Sequence, residues 1–227
     1  MNVLCGVFGV IAAFSRNYET AFYFMLAGAV CDFFDGMAAR ALKAFSPMGK
    51  ELDSLADMIT FGLLPSIMMY KTMEEFHPGQ WYSYIPLIIV VFSALRLAKF
   101  NVDDRQSENF LGLATPACAL WCGSLIYAAD HGVVTFASML HDTWLIPIAS
   151  VVLALLMVSE IPMFSLKVKK GSPYNKVRIY FAAIVAAIAV ATIALKINWS
   201  YIVFLSLTCY IIFNLLHALF SLKLVRK

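Results

Sequence analysis

Charge is scarce in this chain. Asp, Glu, Lys and Arg make up 14% of its 227 residues, whereas soluble domains carry about 25%. No polar block the size of a soluble domain interrupts the apolar stretches, so residues 1–227 read as one polytopic helical membrane domain. The net charge is only +3 and the basic residues form no stripe, which argues against nucleic acid as a partner. The five cysteines, Cys5, Cys31, Cys118, Cys122 and Cys209, include no CxxC pair. They therefore suggest neither a zinc site nor a disulfide framework, and read as small residues of apolar segments. Low-complexity segments are missing, as is an inverted repeat of the transporter kind. So is a basic leader ending in an A-x-A-like cleavage site. His77, His131, His141 and His217 are dispersed, which removes the basis for a histidine catalyst.

What the chain has in abundance is apolar helix. Hydrophobic residues reach 62% and the mean hydropathy is +0.80, and stretches of roughly 17 to 25 apolar residues, enough to cross a bilayer, recur along the length. Eight helices are predicted. The first opens abruptly with MNVLCGVFGVIAAF, so either it is short or the natural N-terminus lies further upstream. The others run from about Glu19 to Ala41, Glu51 to Tyr70, Trp81 to Phe100, Leu113 to Ala129, Thr143 to Phe164, Val177 to Leu195 and Trp199 to Leu222. A polar turn from Lys43 to Lys50, with Pro47 and Gly49 as breakers, separates the second from the third. A short interfacial piece is expected near His131 to His141.

Loop charge orients this bundle, because cytoplasmic loops collect Lys and Arg. With a cytoplasmic N-terminus, the inner side holds fourteen of the seventeen basic residues and the outer side only Arg16, Lys71 and Lys196. Both termini are then cytoplasmic. Of the tryptophans, Trp81, Trp121, Trp144 and Trp199, three lie near predicted outer helix ends and read as interfacial anchors.

Against this apolar background stands the stretch from Cys31 to Gly62. It carries four aspartates, Asp32, Asp35, Asp53 and Asp57, at the cytoplasmic end of a predicted helical hairpin. Carboxylates near such a depth are costly and mark function by default. Asp32 and Asp35 are three residues apart on one helix, and Asp53 and Asp57 four apart on the next, so each pair shares a face. Four facing carboxylates repel unless cations sit among them, and hard oxygen ligands suit Mg²⁺, Mn²⁺ or Ca²⁺. Paired divalent ions are usual equipment for displacement at phosphorus. Gly36 and Ala39 lie on the aspartate-bearing face, where missing bulk lets a ligand approach; tight helix packing explains such a pair equally well.

Asp32, Asp35, Gly36, Ala39, Arg40, Gly49, Asp53 and Asp57 fill the pattern DxxDGxxAR, eight residues, GxxxDxxxD. This resembles the signature of the CDP-alcohol phosphatidyltransferase family, with every specified position matched. The resemblance implies transfer of a phosphatidyl group from a CDP-linked lipid to an alcohol, with CMP leaving. It further implies that the four aspartates hold two divalent cations, Mg²⁺ or Mn²⁺, and that Asp57 is also the general base. Asp53 is implied to be catalytic beside it. Gly36, Ala39, Arg40 and Gly49 are implied in binding nucleotide and phosphate, and the protein is implied to be a homodimer.

The acceptor is addressed by other residues. GKELDSLADMITFGLLPS at Gly49 to Ser66, ALRLAKFNV at Ala94 to Val102, GLATPA at Gly112 to Ala117 and NVLCG at Asn2 to Gly6 resemble the phosphatidylserine synthase branch. That branch more often has arginine at Lys99, proline at Ala114 and serine at Thr60. The implied substrates are CDP-diacylglycerol and L-serine, at a prokaryotic cytoplasmic membrane. A serine carboxylate needs a cation, for which Arg96 and Lys99 are the candidates, with Asn101 beside them. Both cations also read as positive-inside anchors reaching for headgroups. A sibling enzyme using glycerol 3-phosphate, inositol phosphate or another alcohol is the alternative. A cation channel or transporter is a more distant one, and it gives no reason for the DGxxAR spacing.

Overall fold

The computed structural model describes residues 1–43, 46–103, 110–131, 144–163 and 175–225. The expected interfacial piece near His131 to His141 lies almost wholly outside the described residues. The elements are helices α1 (Asn2–Phe14), α2 (Tyr18–Ala41), α3 (Pro47–Asp57), a π-helical turn (Met58–Leu63), α4 (Leu64–Phe76), a 3₁₀ segment (Trp81–Leu87), α5 (Ile88–Val102) and α6 (Thr115–Asp130), then α7 (Leu145–Val158), α8 (Asn175–Ala194) and α9 (Ser200–Val225). Residues Phe110–Leu111 (β1) and Pro162–Met163 (β2) form a short antiparallel pair.

Four of these rods, Tyr18–Ala41, Pro47–Phe76, Trp81–Val102 and Ser200–Ala218, are long and apolar enough to cross a membrane. Asn2–Phe14, Leu145–Val158 and Arg178–Ala194 are shorter apolar helices. The outward surface matches such a setting. Phe8, Ile11, Phe33, Phe34, Val91, Leu155, Ile193 and Ile212 all point outward, an apolar surface far larger than water tolerates.

Several helix ends differ from the sequence expectation. Pro47 does not break the chain but begins a helix. Ser46 caps it, its Oγ accepting from the Gly49 N–H at 3.0 Å, and proline in the first turn lacks only an N–H that had no partner there. The rod then runs on to Phe76, six residues beyond the expected end. Its interior contains Pro65, whose ring crowds the carbonyl four residues earlier; the π turn widens the helix over that stretch. The fourth helix starts as 3₁₀ because Pro86 interrupts it, and Ser66 Oγ donates to the Pro86 carbonyl at 2.8 Å. The sixth helix stops at Val158 rather than Phe164, because Ile161 to Met163 pair with the segment before α6: Gly112 N donates to Ile161 O and Leu113 N to Leu156 O. Gly112 has φ +74, and a Cβ there would lie 2.6 Å from the Met157 carbonyl, so only glycine fits.

Within a bilayer, lipid tails are as apolar as leucine, so helices associate through close packing rather than hydrophobic expulsion. The contacts follow that rule. α1 packs along α2, the π turn and α4; α6 packs on α2, α4 and α9; α5 packs on α7 and the π turn; α8 pairs with α9. At the centre lie Phe22, Met25, Phe61, Leu64, Met68 and Ile126, all fully buried. Cys118 and Cys122 are buried among them as free thiols. The tightest approach joins α1, α2 and the π turn. A Cβ on Gly6 would sit 2.5 Å from Thr60 Oγ1, and one on Gly28 2.5 Å from Thr60 Cγ2.

At the end of the bundle away from Asn2, the basic residues assigned to the outer side are matched by acids. Arg16 meets Glu75 at 3.8 Å, and Lys71 pairs with Glu74.

Overpacking a tight core costs about 1–3 kcal/mol. Gly6→Ala and Gly28→Ala are therefore each expected to lower the unfolding temperature of the detergent-solubilised protein. Gly36→Ala should leave it unchanged, because a Cβ there meets only Arg40 Nη2, 4.0 Å away. Equal melting curves for all three would refute this account of the packing.

Candidate active site

The C-terminal half of α2 and the whole of α3 form the hairpin that carries the aspartates. α2 ends because Leu42 and Lys43 turn back onto the Ala38 and Arg40 carbonyls, with Lys43 in the left-handed region at φ 51. α3 restarts at the Ser46 cap. The two helices thus present their aspartate faces to one another across a short polar connection.

Carboxylate oxygens of Asp32, Asp35 and Asp53 lie within 4.8 Å of one another. Asp32 is half-buried, while Asp35 and Asp53 are exposed. At such a separation, each pair of charges repels by about 3 kcal/mol in a partly solvated site. The group is therefore stable as three carboxylates only with positive charge among them. Asp57 falls outside this group of three, although its carboxyl reaches that of Asp32. Its Oδ1 accepts from Asn2 Nδ2 at 3.0 Å.

Beside the carboxylates opens a cavity of about 550 Å³, lined by Asp35, Asp53, Gly36, Ala39, Arg40 and Gly49 and completed by the start of α1, Ser46 and Lys50. Six of the residues singled out from the sequence thus line one cavity. The space next to Gly36 is open, which separates it from Gly6 and Gly28: those glycines are packed against side chains, and Gly36 is not. None of the lining residues comes from α8 or α9.

The three acceptor candidates fall in different places. Arg96 is buried, 7% exposed, with Nη1 donating to Thr115 Oγ1 at 3.1 Å and its guanidinium over the Phe100 ring. Among the described residues its Nε has no hydrogen-bond partner, and Asp57 lies within its electrostatic reach. Lys99 extends outward to Glu160 at 3.5 Å. Asn101 donates to Ser54 Oγ at 2.9 Å, and its carbonyl accepts from Lys50 Nζ at 2.7 Å. Neither Lys99 nor Asn101 lines the cavity; they fasten the end of α5 to α3 and to the segment after α7.

Sequence reasoning passed over three residues that the structure brings to the site. Asn2 counted as part of an apolar opening, and a lone polar residue in a first turn gives little warning. Lys50 was included among the positive-inside charges, although its place beside Gly49 inside the motif was a cue. Thr115 had no signal of its own.

These surroundings can hold hard divalent cations against the acidic group, admit a nucleotide-sized ligand beside Gly36, and offer it the cations Arg40 and Lys50. A family model for CDP-alcohol phosphatidyltransferases matches residues 1–213. A CDP-diacylglycerol–serine O-phosphatidyltransferase of Bacillus subtilis is 33% identical over 70% of this chain and 83% of its own. One of Mycobacterium leprae is 30% identical over 94% of this chain and 71% of its own. An archaetidylserine synthase of Methanothermobacter thermautotrophicus is 27% identical over 66% of this chain and 65% of its own. Since the model spans nearly the whole length and the hairpin motif sits on its cavity, the chain belongs to the CDP-alcohol phosphatidyltransferase family, a family of phosphotransferases.

Proposed function

We propose that the protein transfers the phosphatidyl group of CDP-diacylglycerol to the hydroxyl of L-serine, yielding phosphatidylserine and CMP. The observation that carries this reading is the cavity at the hairpin, lined by carboxylates and by the open backbone of Gly36. The acceptor rests on the relatives. Serine recurs in the names of bacterial and archaeal relatives alike, whereas the lipid part of those names differs.

The donor set fits the implied cations, since Asp32, Asp35 and Asp53 offer convergent hard oxygens and Asp57 stands beside them. Bound there, two Mg²⁺ or Mn²⁺ ions supply neutralisation of the pyrophosphate and of the leaving CMP oxygen. The chain's own residues do the rest. Gly36 and Ala39 leave room for the cytidine nucleotide, with Gly49 at the opposite side of the cleft. Arg40 and Lys50 hold phosphate oxygens. Asp57 takes the proton of the serine hydroxyl as the new O–P bond forms and the P–O bond to CMP breaks. Arg96 offers its free Nε to the serine carboxylate, a geometry that a guanidinium suits. Lys99 and Asn101 keep the end of α5 in place around that pocket. A site at the edge of an apolar bundle suits an amphiphilic donor whose acyl chains stay in the bilayer.

Eight membrane spans, cytoplasmic termini, a cytoplasm-facing site and a homodimer complete the proposal. Fourteen basic residues on the hairpin side support the orientation, as does the acid pairing of Arg16 and Lys71 at the other end.

Three outcomes test this reading. Purified protein with CDP-diacylglycerol and Mg²⁺ or Mn²⁺ should release CMP with serine and not with glycerol 3-phosphate, inositol phosphate or glycerol; turnover with another alcohol and none with serine would reassign the acceptor. Asp32→Ala, Asp35→Ala and Asp53→Ala should each cut CMP release by at least about a hundredfold, the scale expected when transition-state charge loses its counter-ions, while the melting temperature stays the same or rises as repulsion is relieved. Single cysteines at Lys43 and Lys196, in a background without the five native cysteines, should react with membrane-impermeant thiol reagents from opposite sides of the membrane. Labelling from the same side would overturn the proposed topology.

A further inference from the structure

Asn2 makes contacts that the proposed chemistry does not yet use. It is 3% exposed, although it stands at the start of an apolar helix. Its Nδ2 donates to Asp57 Oδ1 at 3.0 Å, and its backbone carbonyl accepts from Thr60 Oγ1 at 3.1 Å. Its own Oδ1 has no partner. That asymmetry fixes the amide: a carboxylate can only accept, so the NH₂ end must face Asp57. Thr60 is fully buried in the π turn, three residues after Asp57, so one residue of α1 grips both ends of that short stretch. α2 closes the third side, since a Cβ on Gly28 would lie 3.1 Å from Asn2 Oδ1 and 2.5 Å from Thr60 Cγ2.

We propose that Asn2 is a positioning residue for phosphatidyl transfer: its amide holds one oxygen of Asp57 so that the other is presented to the acceptor hydroxyl. This rests on the functional reading above, and in particular on Asp57 as the proton acceptor. The division of labour is visible in the geometry. Asp32, Asp35 and Asp53 converge on one another, whereas Asp57 is bound from α1. A carboxylate left to rotate at this point would turn toward the acidic group or toward Arg96, and the hydroxyl would meet the wrong oxygen. Loss of such an outer partner of a functional group typically costs about 10–100-fold.

The test uses the full chain in lipid or detergent, with CDP-diacylglycerol, serine and Mn²⁺. Asn2→Leu keeps the volume and removes the amide; Asn2→Asp keeps the shape and replaces the donor by an acceptor. Both should lower kcat by about 10–100-fold. KM for CDP-diacylglycerol, and Mn²⁺ affinity measured by titration without substrate, should stay within about twofold for Asn2→Leu. Thr60→Val removes the other polar tie of α1 and leaves the amide in place; it should lower the melting temperature and spare kcat. Wild-type kcat in both Asn2 variants would overturn the proposal. So would a loss of kcat in Thr60→Val equal to that in Asn2→Leu, since Asn2 would then serve only the packing. If Asn2→Leu fails to fold, the isosteric Asn2→Asp decides by the same criteria. Absence of turnover in the wild-type protein would overturn the functional reading itself, and this role with it.

Discussion

Mutual repulsion among carboxylates is the constraint on which this molecule depends. Asp32, Asp35 and Asp53 are held within 4.8 Å of one another, at an energetic cost when all three are charged. Their convergence requires two helices to run face to face through an apolar bundle and to remain there when the charges push them apart. The cost is offset from two directions. Arg40 and Lys50 line the adjoining cavity, and the packing of α1, α2 and the π turn is tight enough to resist displacement. Close approach through Gly6 and Gly28 supplies that resistance where hydrophobic expulsion is absent.

The π turn is where backbone chemistry and site chemistry meet. Pro65 cannot donate within the helix and crowds the turn before it, and the widened stretch Met58–Leu63 lies directly upstream. Such turns occur often at functional sites. Here the turn begins immediately after Asp57, and Thr60 within it anchors the start of α1. The stretch from Asp57 to Thr60 thus lies upstream of the proline, and both of its ends meet Asn2.

Much of this was legible before any coordinates. The eight-position aspartate motif located the hairpin, and loop charge and hydropathy located the helices to within a few residues. Six motif residues do line one cavity. What escaped has a physical pattern. Helix ends made by Arg16, Lys43 and Lys196 in the left-handed region carry no glycine or proline to announce them. Pro47 was read as a breaker because a proline reads alike before a helix and inside its first turn, until the Ser46 cap is seen. The stop at Val158 depends on pairing between segments about fifty residues apart in sequence, which no local periodicity reports. Asn2 and Thr115 matter through partners on other helices, Asp57 and Arg96. A single polar residue in an apolar helix does not disclose its partner.

The residues around Asp57 separate the general chemistry of the family from the choice of alcohol. The acidic group, Gly36 and Ala39 lie on the open side of the hairpin, where, on the proposed reading, any CDP-linked lipid would present the same pyrophosphate. Arg96 and Thr115 lie deeper, on α5 and α6, and Arg96 keeps a buried Nε without a partner. A buried guanidinium N–H left unsatisfied is expensive, so its retention argues for a ligand that completes it. A carboxylate does so with a single charge-assisted bond, whereas a phosphate demands more positive charge than one half-engaged arginine provides. Lys99 cannot add much to that charge, being drawn outward to Glu160. On the proposed reading, the alcohol is therefore selected by how little cation stands around Arg96, while the hairpin cavity is built for the donor that the whole family shares.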